Sequence, residues 1–175
     1  MEKSKSDGFT LIELIVVMAI VGLLAGMVIP RVFNTLTNVE LKSAARNTVS
    51  FLNQARDHSY YKKKYTKVSF NLATGHIALS EYRNVIAEEK DSFAGPEMIW
   101  VGIKDFFLPD GVRLQKCMGG GKNTTKGRFD IIIYPAGNTD GGRMTLVNKK
   151  GREFLIKVDI ITGNARIMEE SDENE

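Results

Sequence analysis

The sequence has little of what a disulfide-stabilised, metal-binding or strongly basic protein needs. Its 175 residues include one cysteine, Cys117, so no disulfide can form within the chain. A single cysteine and two histidines far apart, His58 and His76, give little support for a metal site. The formal net charge of +3 is too small to indicate nucleic-acid binding by itself. We therefore predict no metal and no cofactor.

Catalytic motifs are also lacking. The chain has no G-x-S-x-G segment, no cysteine–histidine pair and no carboxylate cluster that supports catalysis. The glycine run CMGGGKNT (117–124) departs from the phosphate-loop pattern GxxxxGK[ST] at Lys116 and Asn123, and we interpret it as a flexible loop. In GNTDGG, Asn138 and Asp140 lack the spacing of a calcium loop and predict a β-turn. The prediction is that the chain is not an enzyme.

Charge is scarce near the N-terminus, where Glu13 is the only charged residue of 9–29. A helix of this length spans about 30 Å, the thickness of the hydrocarbon core of a membrane. A secretory signal would be shorter and would end in a small-residue cleavage site, which residues 29–31 do not provide. A single-pass anchor fits the length but leaves Glu13 unexplained, because a carboxylate in hydrocarbon is costly. A third interpretation places processing ahead of the run, between Gly8 and Phe9.

At this junction the sequence resembles the N-termini of type IV pilins and of type II secretion pseudopilins. The resemblance rests on a short leader with two lysines that ends in Gly8, followed by FTLIELIVVMAIVGLLAGMVIP (9–30). It implies that a prepilin peptidase cuts after Gly8 and methylates the new amino group of Phe9. It also implies that Glu13 meets this amine in a neighbouring subunit, and that the helix bends or locally unwinds at Pro30, whose missing N–H predicts a kink.

Elementary electrostatics agrees with the implied role of Glu13. Cleavage before Phe9 creates an α-amino group that is largely cationic at neutral pH. Glu13 lies four residues later, on the same helix face and about one turn away. In a low-dielectric filament core, the attraction between the two charges favours one docking register. The two leader lysines favour a cytoplasmic N-terminus, which puts the rest of the chain outside the cytoplasm.

Beyond Pro30 the helical pattern continues with one apolar face. The residues of this face recur at three- and four-residue steps: Leu41, Ala45, Thr48, Leu52 and Ala55. They predict an amphipathic helix over 31–64 whose apolar stripe docks on a globular head. The lysines Lys62, Lys63 and Lys64 fall at its end, where cations suit the helix dipole.

From residue 65 onward, alternating apolar residues and turn signals predict antiparallel strands. They are TKVSFNL, HIALSEY, VRLQ, RFDIII, RMTLVN, REFLIKVDI and NARIM. Residues 84–106 and 115–127 are left to loops or an edge strand. The order of strands and turns after residue 128 resembles the C-terminal β-region of GspH/FimT-type minor pseudopilins. The predicted fold is α+β, with a long N-terminal helix packed on an antiparallel β-sheet head.

Taken together, these features favour a minor pseudopilin of a type II secretion system. Its segments would be a leader (1–8), a transmembrane and assembly helix (9–30), an amphipathic helix (31–64), a periplasmic head (65–168) and an acidic disordered tail (169–175). It would sit in the inner membrane as a single-pass protein, with other pseudopilins or pilins and the prepilin peptidase as partners. The nearest alternative is a minor pilin of a type IV pilus, for pilus assembly, adhesion or DNA uptake, in which Lys62–Lys64 and Lys67 contact DNA or a surface. A membrane-anchored periplasmic enzyme is the third hypothesis.

Overall fold

The computed structural model describes residues 9–85 and 97–168, with side chains described except at 25–36, 84, 85, 97 and 98. The predicted leader and the predicted acidic tail lie outside the described residues, so both stay predictions. Contacts within the chain define two compact units, Met1–Thr37 and Asn38–Glu175.

The helix α1 (Leu11–Lys62) precedes all of the strands. The helix continues through Pro30 and ends at Lys62, two residues before the predicted boundary at residue 64. The kink at Pro30 stays a prediction. In the second unit, all five residues of the predicted apolar stripe, from Leu41 to Ala55, are at most 1% exposed. The amphipathic pattern is therefore confirmed.

Within the described residues, nine strands follow the helix. They are β1 (Thr66–Asn71), β2 (His76–Val85), β3 (Glu97–Phe107), β4 (Val112–Gly119), β5 (Lys122–Thr124), β6 (Arg128–Ile133), β7 (Gly142–Asn148), β8 (Glu153–Val158) and β9 (Ala165–Met168). The first sheet has the order β3-β2-β1-β6 and the second the order β5-β4-β7-β8-β9. All neighbouring strands are antiparallel. The predicted α+β class is confirmed.

Two strands lie in the segments that the sequence left to loops or an edge strand. One is β3, which is an edge of the first sheet. The other is β5, which pairs with β4 through the glycine run. The prediction of a flexible loop there is wrong, because Gly120 and Gly121, with φ of 55° and 74°, form a tight two-residue hairpin turn. Positive φ at both central positions is what such a turn requires, and glycine supplies it without steric cost.

One apolar core joins the second unit's part of α1 to both sheets. In the first sheet Val68 lies opposite Ile131 and Phe70 opposite Phe129, all at most 6% exposed. From the helix, the ring of Phe51 packs edge-on against Phe106 of β3, with 5.0 Å between ring centroids. Burying side chains of this size stabilises a fold by about 1.5–3 kcal/mol each. The alternation along β1 and β6 therefore fixes which face of the first sheet meets the core and which remains outside.

Candidate functional site

The start of α1 is shaped by a cap that involves Glu13. Phe9 and Thr10 precede the helix, and Thr10 accepts two hydrogen bonds from the first turn of the helix. The backbone N–H of Glu13 donates to Thr10 Oγ1 (3.3 Å), and that of Leu14 donates to Thr10 O (3.2 Å). Glu13 thus stands at the third helical position, where a capping box carries glutamate or glutamine. The sequence predictions missed this cap, although the spacing T-x-x-E signals it.

Phe9 and Glu13 both belong to this exposed helix start. Phe9 is 87% exposed, and Glu13 lies in the first turn, where the helix dipole favours a carboxylate. An amine created at Phe9 would therefore arise one turn from Glu13. Gly8, on the other side of the predicted cleavage, lies outside the described residues. The processing at Gly8 and Phe9 and the pairing of Glu13 stay predictions.

Between Leu11 and Leu24, the apolar side chains of α1 are exposed all around the helix. Those at least 49% exposed are Leu11, Ile12, Leu14, Ile15, Val16, Val17, Met18, Ile20, Val21, Leu23 and Leu24. A continuous exposed apolar surface marks a contact with lipid or with another protein. Among the described residues, no helix reaches the length and mean hydropathy of a membrane span. Membrane insertion of 9–30 stays a prediction.

The lysines at the end of α1 have structural roles. Lys63 is the residue that ends the helix in the left-handed conformation, with φ of 55°. The N–H of Lys64 donates to the carbonyl of Ser59 (3.2 Å), which is the bond of a Schellman cap. The ammonium of Lys63 lies 3.9 Å from the ring centroid of Tyr60. The predicted place of these lysines at the end of the helix is confirmed.

A buried carboxylate, Glu81 of β2, gathers three cationic or polar partners. Its Oε1 accepts from Lys64 Nζ (2.8 Å) and Arg83 Nε (2.6 Å), and its Oε2 lies 2.6 Å from His58 Nε2. A carboxylate only accepts hydrogen bonds, so this histidine nitrogen donates. Burial raises the pKa of Glu81, but the bonds from Lys64, His58 and Arg83 outweigh it and lower the pKa to about 2. The cluster ties the last turns of α1 to the first sheet.

These contacts bear on the DNA-binding alternative. Lys63 and Lys64 are engaged with Tyr60 and Glu81, and Lys67 lies over the ring of Trp100, at 4.4 Å from its centroid. A phosphate would have to compete with these partners. The lysine run therefore has a structural explanation that needs no nucleic acid.

The other residues considered as metal ligands or reactive groups are paired with a neighbouring side chain or buried. His76 Nε2 lies 2.7 Å from Asp105 Oδ2, and Asp140 accepts from the hydroxyl of Tyr134 (2.7 Å). Cys117 is fully buried, and burial raises the pKa of its thiol to about 12, so the thiol stays protonated. Within the part of the chain that the structure describes, no three His, Cys, Asp or Glu residues are grouped to hold a metal.

Comparison with known proteins adds a motif and a fold. The prokaryotic N-terminal methylation motif matches residues 3–29. Two structures of the minor pseudopilin EpsH from the type II secretion system of Vibrio cholerae match with TM-scores of 0.53 and identities of 12% and 13%. Both cover 74% of this chain, and the chain covers 96% and 95% of them. The type IV minor pilin FimU of Pseudomonas aeruginosa gives a TM-score of 0.48 at 11% identity, over 76% of this chain and 90% of FimU. A search of curated proteins found no match.

The motif and the fold confirm the resemblance on which the sequence predictions rest. The motif is confined to the N-terminal segment, where Gly8, Phe9 and Glu13 lie. The EpsH structures share the α+β fold of this chain, at an identity that shows the fold alone. The chain therefore combines a prepilin-type N-terminus with a pilin-like fold.

Proposed function

We propose that this chain is a minor pseudopilin of a type II secretion system, cleaved between Gly8 and Phe9 and assembled into a periplasmic filament. The methylation motif over 3–29, joined to a pilin-like fold, is the observation that carries the proposal. EpsH, which has this fold, is itself a minor pseudopilin of such a system. The chain would act as a structural subunit and a substrate of the prepilin peptidase, not as an enzyme.

The N-terminal helix would supply both the contact area and the register for assembly. Cleavage frees a cationic amine at Phe9, one turn ahead of Glu13. The exposed apolar side chains of residues 11–24 would pack against lipid before assembly and against neighbouring subunits within the filament. There the carboxylate of Glu13 would meet the amine of an adjacent subunit. In a medium of low dielectric constant, separating the two charges is costly. Registers that break this pair are therefore disfavoured.

The location follows from the same helix. Residues 9–30 would anchor the protein in the inner membrane before assembly, with the head in the periplasm. Partners would be other pseudopilins and the prepilin peptidase. The methylation motif is common to pseudopilins and pilins, so a minor pilin of a type IV pilus is the alternative function, and a phenotype must separate the two.

Deleting the gene is expected to abolish secretion of folded proteins while leaving pili intact. Secreted enzymes should accumulate in the periplasm instead of the medium, as measured by activity in the two fractions. Pilus number, counted by electron microscopy, should not change. Expression of the intact chain from a plasmid should restore secretion. Normal secretion together with lost pili would contradict the proposal and would support the minor-pilin alternative.

A further inference from the structure

Three cations form a row across the second sheet. Arg143 of β7 lies directly opposite Lys157 of β8, which lies directly opposite Arg166 of β9. Directly opposed residues share one face of a sheet, and adjacent strands are about 4.8 Å apart, so the row spans about 10 Å. The chain neighbours Met144 and Ile156 point the other way and are fully buried. The row therefore lies on the face turned away from the core.

This arrangement opposes stability. Like charges placed directly opposite each other destabilise a sheet. Within the described residues, none of the three cations forms a hydrogen bond or an ion pair. Lys157 attracts Asp159 and helps to lower its pKa, but one carboxylate balances only one of the three charges, so a partner's negative charge would relieve the row.

A groove of about 760 Å³ adjoins the row and is lined by both Arg143 and Lys157. Its two carboxylates are already engaged: Asp140 accepts from the Tyr134 hydroxyl, and Asp159 accepts from the N–H of Thr162 at 2.7 Å. The groove also carries apolar surface, because Ile160 and Ile161 are 61% and 83% exposed.

The mixture of charges and apolar groups decides which partner fits. A nucleic acid would gain from the cations, but it would leave the apolar surface of Ile160 and Ile161 in water. An acidic protein segment can place carboxylates on the row and an apolar side chain on the isoleucines. Such pairing also matches interfaces in which an apolar centre is surrounded by a polar rim.

We propose that the row of Arg143, Lys157 and Arg166, together with the adjoining groove, binds an acidic, partly apolar segment of another protein subunit. That the partner is a filament subunit rests on the proposed function. The chemistry of the surface does not rest on the proposed function. Peptide binding can therefore succeed or fail independently of any secretion phenotype.

The test uses the full chain in detergent micelles and three labelled probes followed by fluorescence anisotropy. The probes are a peptide of alternating Glu and Leu, the same peptide with Lys for Glu, and a duplex DNA of about 20 base pairs. The variant R143E/K157E/R166E is compared with K42E/K62E/K126E, which makes the same change in charge at exposed cations elsewhere. We expect the first variant to weaken binding of the acidic peptide by at least about tenfold, and the control by less than about threefold.

The single variant Lys157→Glu separates lost binding from lost folding. It puts a carboxylate between two arginines and turns two repulsive pairs into attractive ones, against the loss of one attraction, that between Lys157 and Asp159. We expect a higher midpoint of thermal unfolding together with weaker binding of the acidic peptide. Equal losses in the control variant, no loss in the triple variant, tighter binding of DNA than of the peptide, or a lower unfolding midpoint for Lys157→Glu would each overturn the proposal.

Discussion

Replacing Glu13 by glutamine is expected to remove the chain from the proposed filament while leaving the start of α1 intact. Glutamine at the third helical position serves a capping box as glutamate does, so the cap with Thr10 is kept. The negative charge, however, is lost, and with it the attraction to a neighbouring amine. A hydrogen bond to a charged group contributes about 1.5–3 kcal/mol, so we expect incorporation to fall roughly tenfold to a hundredfold. Immunoblots of sheared filaments measure this directly.

Two matched variants identify which property of Glu13 matters. Glu13→Ala removes the charge and the cap's glutamate, and we expect it to impair incorporation as strongly as the glutamine variant. Thr10→Ala removes the capping hydroxyl alone and should cost only about 1 kcal/mol of helix stability. Membrane content and cleavage of all three should resemble those of the natural chain. Normal incorporation of the glutamine variant beside failure of the alanine variant would show that the cap matters and the charge does not.

The second large effect is expected at Glu81, where the variant Glu81→Gln should lower the free energy of unfolding by about 3 kcal/mol. Removing one partner of a buried charge cluster costs about 3–5 kcal/mol. The lower end applies here, because the side chains of Lys64 and Arg83 are 46% and 48% exposed and regain water. Urea unfolding followed by the fluorescence of the single tryptophan, Trp100, reports on the first sheet. The exposed Glu153→Gln is the control and should change stability by less than about 0.5 kcal/mol.

The same cluster predicts how stability depends on pH. The pKa of Glu81 in the folded chain is about 2, below its ordinary value of 4.5. The carboxylate therefore stabilises the fold above pH 4.5, and this contribution is lost as the pH falls from 4.5 towards 2. Unfolding free energy should fall in that window less steeply for Glu81→Gln than for the natural chain. Parallel pH profiles would contradict the role assigned to the cluster.

The sequence predicts an element well where its side chains alternate between the core and water. Val68 and Phe70 of β1 and the stripe from Leu41 to Ala55 are such cases, and both patterns agree with the structure. The strand β3 gave no such signal, because Ile99, Trp100 and Ile103 are all exposed although they lie on both faces of the strand. The strand β5 has three residues and no apolar side chain to bury.

What depends on pairing between distant strands could not be read from the sequence. Lys157 and Arg166 are nine positions apart, and only the register of β8 and β9 brings them face to face. The burial of Glu81 could not be predicted either. A glutamate is ordinarily exposed, but the fold brings His58 and Lys64 close enough to compensate the burial of this one. The N-terminal site is the opposite case. There the motif lies in one short segment, residues 3–29, so its match needs no fold, and the roles of Gly8, Phe9 and Glu13 stay predictions.

The mass of the mature N-terminus tests the central claim most directly. The protein is purified from the membrane fraction and its N-terminal peptide is analysed by mass spectrometry. The account predicts a chain that begins at Phe9 and carries one methyl group on its amine. A chain that retains Met1, or one that begins beyond Pro30, would contradict processing by a prepilin peptidase and with it the assembly role proposed for Glu13.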